Sequence, residues 1–144
     1  MSNISYHGTN KKHAEKIIGP PSQLDIGLGK GELGKGFYCG NSIALAAIWA
    51  QLRHLTEAVV IEFDIPKQNF VQLKGYIIKS QAVVIENWHF LMSRGETSTH
   101  LFGYDYIIAP FATIEHIGNQ IKFESEKAEL ELRNSEKNIF PCVS

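Results

Sequence analysis

The stretch Gly34-Lys35-Gly36-Phe37-Tyr38-Cys39-Gly40-Asn41-Ser42, with the segment that follows it, most constrains what this chain can become. Gly34, Gly36 and Gly40 bracket a short aromatic run, which reads as a strand whose ends can turn sharply and admit a close neighbour. Ser42 reads as the N-cap of a helix running to about Arg53, because its hydroxyl can accept a bond from an orphan amide two or three residues on. Ile43, Ala46, Ala47 and Ala50 recur at three- and four-residue spacing and give that helix a small apolar face. A strand that ends at a glycine and feeds a capped helix builds either a ligand pocket or an ordinary strand-turn-helix. This stretch by itself leaves both open.

The rest of the chain bounds the choice. Its 144 residues fit a single domain spanning 1–144, large enough to bury about two thirds of the unfolded chain's surface. Hydrophobic residues at 44% and charged residues at 20% describe a globular protein. Fourteen basic against fifteen acidic residues leave a net charge of -1, so electrostatics does not announce a nucleic-acid binder. No apolar run is long enough for a transmembrane helix, and no membrane partner is expected. The opening Met-Ser-Asn-Ile-Ser-Tyr-His lacks the basic and apolar regions of a signal peptide, so a cytoplasmic location, in a cell or a host, is expected. Cys39 and Cys142 have no metal-ligand spacing and read as free thiols. His13, His54, His89, His100 and His116 show no paired spacing either, so no metal is expected.

In chain order, Ile4-Ser5-Tyr6-His7 alternates as a short strand closed by Gly8-Thr9-Asn10. Asn10 can cap the amphipathic segment Lys11 to Ile18, which Gly19-Pro20-Pro21 terminates. Pro21 to Gly34 holds four glycines and no hydrophobic period; it reads as a mobile loop of functional length with few buried contacts. It lacks the Gly-Lys-Ser/Thr ending of a P-loop. Ala58 to Ile65 is a mostly buried strand stopped by Pro66. Phe70 to Leu73 and Tyr76 to Ile78 are weaker strand candidates, and Gln81 to Arg94 a helix with Val84, Trp88 and Leu91 at helical spacing. Gly95 to Gly103 reads as a polar loop, Tyr104 to Pro110 as a strand, and Gln120 to Phe123 as a short strand. Glu124 to Asn134 follows as a helix and Asn138 to Val143 as a closing strand. Strands and helices interleave without a βαβ rhythm, which favours α+β with mixed or antiparallel sheets.

Tyr6-His7-Gly8-Thr9 ending the first strand and Gly36-Phe37-Tyr38 beginning the second resemble the ADP-ribosyltransferase superfamily. The likeness extends to a small bacterial and phage-associated branch through Trp49-Ala50 on an alanine-rich helix and Trp88 to Arg94. It continues through Tyr104-Asp105-Tyr106-Ile107-Ile108 before a proline and Asn119-Gln120-Ile121-Lys122-Phe123, in order over nearly the whole chain. The resemblance implies a fold of two small facing sheets with flanking helices and an NAD cleft. It implies that NAD is split at nicotinamide, and that ADP-ribose goes to a macromolecule, protein or nucleic acid, by a toxin, defence or host-modifying factor. His7, Tyr38 and Gln120 are then the catalytic trio. Gly8, Thr9, Gly36, Phe37, Ser42 and Trp49 are the NAD-binding residues.

The chemistry suits those roles. A histidine at a strand end can donate to a ribose hydroxyl, and an aromatic ring at Tyr38 can stack on nicotinamide, with Trp49 as the other wall. Ser42 can reach the carboxamide, in competition with its capping role. By resemblance the bond breaks through an oxocarbenium-like ribose, which an acceptor at the 2'-hydroxyl stabilises.

One position departs from the pattern. Gln120 stands where many relatives carry Glu, and an amide orients a hydroxyl without a charge to face the cation. Glu124 and Glu126 follow the strand; they read as the solvated first turn of a helix, with a role as paired acids the rival. Single transfer is favoured over polymer formation. Other readings stay open: His7, Tyr38 and Trp49 as core residues, Arg94 as a phosphate contact or a helix C-terminal cation, and the whole as a non-catalytic NAD or ADP-ribose binding module or an NAD glycohydrolase.

Overall fold

The computed structural model of the chain describes residues 2–112 and 118–142. His116 and Val143, which carried expectations above, lie outside the described residues. The architecture is α+β, and the chain divides into two compact units. The first comprises residues 1–24, 39–72 and 130–144, and the second residues 25–38 and 73–129.

The first unit is built on antiparallel strands. β1 (Ser2–Asn10) pairs along its length with β3 (Ala58–Pro66), and β3 pairs with β7 (Glu136–Pro141) on its other side. The end of β2 (Phe37–Gly40) joins β1 with Tyr6 opposite Gly40. Val59, Val60, Ile61, Phe63 and Ile65 are all buried, so β3 is the unit's central strand in packing as well as in pairing. Asn10 caps α1 (Lys11–Ile18) by accepting from the His13 amide at 2.8 Å, and Ser42 caps α2 (Ile43–His54) through the Leu45 amide at 3.2 Å. Each cap contributes about 1 kcal/mol.

Gly8 does not end the first strand as expected. β1 runs through it, and the reason is α2. A Cβ on Gly8 would stand 2.4 Å from the Ala46 carbonyl oxygen and 3.1 Å from the Ala50 Cβ. The helix backbone thus rests directly on β1. Its buried residues are Leu45, Ala46 and Ala50, while Ile43 is exposed, so the small face is rotated from the one the spacing suggested.

The second unit holds β4 (Gly75–Ile77), α4 (Gln81–Ser93), β5 (Tyr106–Pro110) and β6 (Asn119–Phe123). β4 runs parallel to β5, and β5 antiparallel to β6, so the strand pairing is mixed. Phe37 and Tyr38, the start of β2, lie beside β6. Ser80 caps α4 through the Val83 amide. Val84 and Leu91 on α4 are fully buried, and each such side chain stabilises by about 1.5–3 kcal/mol. Val84 packs with Leu33, Ile78, Ile107 and Ala109, against which Tyr38 and Phe102 also lie.

Three further expectations differ from the structure. Phe70 to Leu73 is no strand: α3 (Lys67–Phe70) is one helical turn after Pro66, closed by the Val71 amide on the Lys67 carbonyl at 3.0 Å. Nor is the 21–34 segment poor in buried contacts, since Leu24, Ile26 and Leu33 are all buried. From residue 25 it belongs to the second unit, with the Ile26 amide on Glu129 Oε1 at 3.0 Å and the Gly31 amide on the Thr97 carbonyl at 3.3 Å. Its apolar residues anchor it without any period. α5 (Glu126–Asn134) begins two residues later than expected, leaving Glu124 between strand and helix.

Candidate functional site

His7, Gly8, Thr9, Ser42 and Trp49 fall in the first unit, and Gly36, Phe37, Tyr38 and Gln120 in the second. In the first unit His7 pairs with Ile61 across β1 and β3, between Ser5 opposite Phe63 and Thr9 opposite Val59. Directly paired residues share a face, so His7 shares its face with the apolar core residues of β3 and is itself half-buried. Thr9 is 5% exposed. Gly8 accommodates α2, and Ser42 is committed to capping it. Trp49 is half-buried on that helix. Gly8 and Ser42 therefore carry structural duties, and of these only the Ser42 cap was legible in the sequence.

The second unit brings Tyr38 and Gln120 onto neighbouring strands and joins them through residues 32–34. The Tyr38 hydroxyl donates to the Gly34 carbonyl at 2.5 Å and accepts from the Leu33 amide at 3.0 Å. The Gln120 amide nitrogen donates to Glu32 Oε1 at 2.9 Å and to the Pro110 carbonyl at 3.2 Å, and Glu32 Oε1 also accepts from the Ala112 amide at 2.7 Å. Gln120 is only 3% exposed, and Glu32 lies against it half-buried.

Burial, with the nearby carboxylates of Glu32 and Glu124, pushes the Tyr38 phenol well above the ordinary tyrosine range, although the Leu33 amide pulls the other way. Phe37 is buried as well, and a Cβ on Gly36 would come 2.5 Å from Lys122 Cγ. Gly36 is thus required by the lysine stem beneath it.

Lys122, whose local context gave no hint of a role, is fully buried. Its Nζ pairs with Glu124 Oε1 at 2.7 Å, donates to the Leu33 carbonyl at 2.7 Å, and stands 5.0 Å from the centre of the Phe102 ring. Burial lowers its pKa, and Glu124 offsets part of that. The Glu124 carboxylate also accepts the amides of Phe102, Gly103 and Tyr104 at 3.2, 2.8 and 3.2 Å. This corrects its reading as a solvated first-turn acid, because Glu124 holds the 102–104 turn and neutralises a buried lysine. Glu126 is exposed at the start of α5. Arg94 pairs with Glu96 on the surface and covers the Phe90 ring at 5.2 Å, a contact worth little in stability.

The phenol gives a pH test with a definite sign. Its folded pKa is raised, so the stabilisation it contributes is present below about pH 10 and is lost as pH rises further. Tyr38→Phe should cost about 1–3 kcal/mol at pH 8, from the orphaned Leu33 amide. That gap should narrow above pH 10, because only the wild type carries the ionisation penalty; Lys122, with its lowered pKa, acts oppositely but equally in both proteins. Denaturant unfolding at pH 8 and pH 11 checks this, and a gap independent of pH contradicts it.

Among the described residues no helix is long and apolar enough to cross a membrane, and no group of three His, Cys, Asp or Glu side chains could hold a metal ion. No protein-family model matches the chain, and no curated protein matches it either.

Proposed function

We propose that the chain is an ADP-ribosyltransferase-like domain with an NAD cleft that transfers a single ADP-ribose from NAD to a macromolecule. The observation that carries the reading is the convergence of two separated motif residues. Tyr38 and Gln120 come from distant parts of the sequence onto neighbouring strands of one unit, and one three-residue segment fastens both. In this reading His7 donates to a ribose hydroxyl, the Tyr38 ring stacks on nicotinamide, and Gln120 belongs to the wall that faces the ribose. A role as a toxin, defence or host-modifying factor follows from the same resemblance.

The second reading, a binding module for NAD or ADP-ribose, is favoured by the burial of Gln120, a neutral side chain engaged with protein partners. Incubation with NAD labelled in the ADP-ribose half and with total cell extract distinguishes the readings. Label on a macromolecule supports transfer, free ADP-ribose supports a glycohydrolase, and bound but intact NAD supports the module.

A further inference from the structure

We infer that Glu32 supplies the carboxylate that the third motif lacks, so that the catalytic acid of this chain comes from the 21–34 segment and not from strand β6. The inference rests on the reading of the protein as an NAD-splitting enzyme. Its starting point is a contact 88 residues apart in sequence, in which the Gln120 amide nitrogen lies 2.9 Å from Glu32 Oε1. Gln120 is 3% exposed while Glu32 is half-buried, so of the two residues Glu32 is the more accessible.

The acid is held in place. Oε1 also takes the Ala112 amide at 2.7 Å. The two residues that follow are pinned as well, Leu33 by its carbonyl on the buried Lys122 ammonium at 2.7 Å and Gly34 by its carbonyl on the Tyr38 hydroxyl at 2.5 Å. A charge aimed at a developing cation is effective when it does not have to reorganise during the reaction. Glu32 has partners too, but one of them is the motif residue itself, whereas the neighbouring acids hold other groups. Glu124 spends its carboxylate on Lys122 and three backbone amides, and Glu129 Oε1 holds the Ile26 amide at 3.0 Å.

In the reaction the bond between ribose C1' and the nicotinamide nitrogen breaks, and its electron pair passes to that nitrogen, so the pyridinium leaves as neutral nicotinamide. Positive charge develops at C1' and the ring oxygen. Glu32 accepts a hydrogen bond from the 2'-hydroxyl and faces that charge, with Gln120 orienting it from behind. The acceptor then donates an electron pair to C1' and releases its proton to water.

The test is made on the full chain with two variants. Glu32→Gln keeps the size and an oxygen for the Ala112 amide but removes the charge. The double variant Glu32→Gln/Gln120→Glu returns an acid to the strand and keeps one acid and one amide in contact. Nicotinamide release should fall about 100-fold in the single variant, with NAD affinity within about threefold of wild type and an unchanged near-ultraviolet circular dichroism spectrum. The double variant should recover at least about tenfold of that loss, which a merely structural role for Glu32 does not predict. Turnover of Glu32→Gln within about threefold of wild type, or a loss the double variant does not restore, overturns the inference and leaves the NAD reading standing. A wild-type protein that leaves NAD intact overturns both.

Discussion

Glu124→Ala should destabilise the protein more than any other single truncation of a charged residue in the second unit, by about 3–5 kcal/mol, because it strands a buried ammonium. Lys122 and Glu124 have side chains 0% and 2% exposed, and the carboxylate is the sole ionic partner recorded for that lysine among the described residues. The loss extends beyond the pair, since the Phe102, Gly103 and Tyr104 amides lose their acceptor too. A pair of buried charges can often be replaced by apolar residues with little net effect. Here the double variant Lys122→Met/Glu124→Met should remain destabilised, because three backbone donors stay orphaned at about 1–3 kcal/mol each when fully desolvated. Urea unfolding of the two variants checks this. A double variant as stable as wild type would show that the amides find other partners and that the carboxylate serves the lysine alone.

Gly8→Ala is the second large effect, and it acts on the other unit. The new methyl would meet the Ala46 carbonyl oxygen at 2.4 Å, and a main-chain atom cannot be trimmed by a second substitution. α2 must lift from β1, at a cost of about 1–3 kcal/mol or more. Ala50→Gly relieves the contact at 3.1 Å but not that at 2.4 Å, so it should not rescue Gly8→Ala. Thermal melting of the single and double variants reads this directly; full rescue would mean that the helix backbone is not what Gly8 accommodates. The same experiment bears on function, since the resemblance makes Gly8 an NAD-binding residue. Its packing duty must be separated from any loss of NAD binding.

Local chemistry made much of this fold legible. The caps Asn10 and Ser42 have short polar side chains placed before a helical period, and both cap as read. The strand Ala58 to Pro66 was visible because β-branched and apolar residues run together and a proline stops them. What was not legible depends on partners far away in sequence. Gly8 reads as a strand stop until β3 pairs past it and α2 lands on it. Leu24, Ile26 and Leu33 have no period, so their burial could not be read from a pattern that only periodic elements create.

The site follows the same division. Tyr38 and Gln120 were visible as motif residues, but the segment that fastens them was read as a mobile loop. Glu32 meets Gln120 across 88 positions, and Lys122 meets the Leu33 carbonyl across 89. No local signal marks either contact. Glu124 was read by its position next to a helix, where acids are usually solvated, whereas the buried lysine two residues earlier determines its environment.

The most direct test of the central claim is nicotinamide release. The purified chain is incubated with NAD, with and without cell extract, and free nicotinamide is measured over time alongside calorimetric binding of NAD. The expected result is that NAD binds, that nicotinamide accumulates in proportion to protein, and that His7→Ala weakens binding and release together. NAD that remains intact, whether or not it gives a heat of binding, would contradict it.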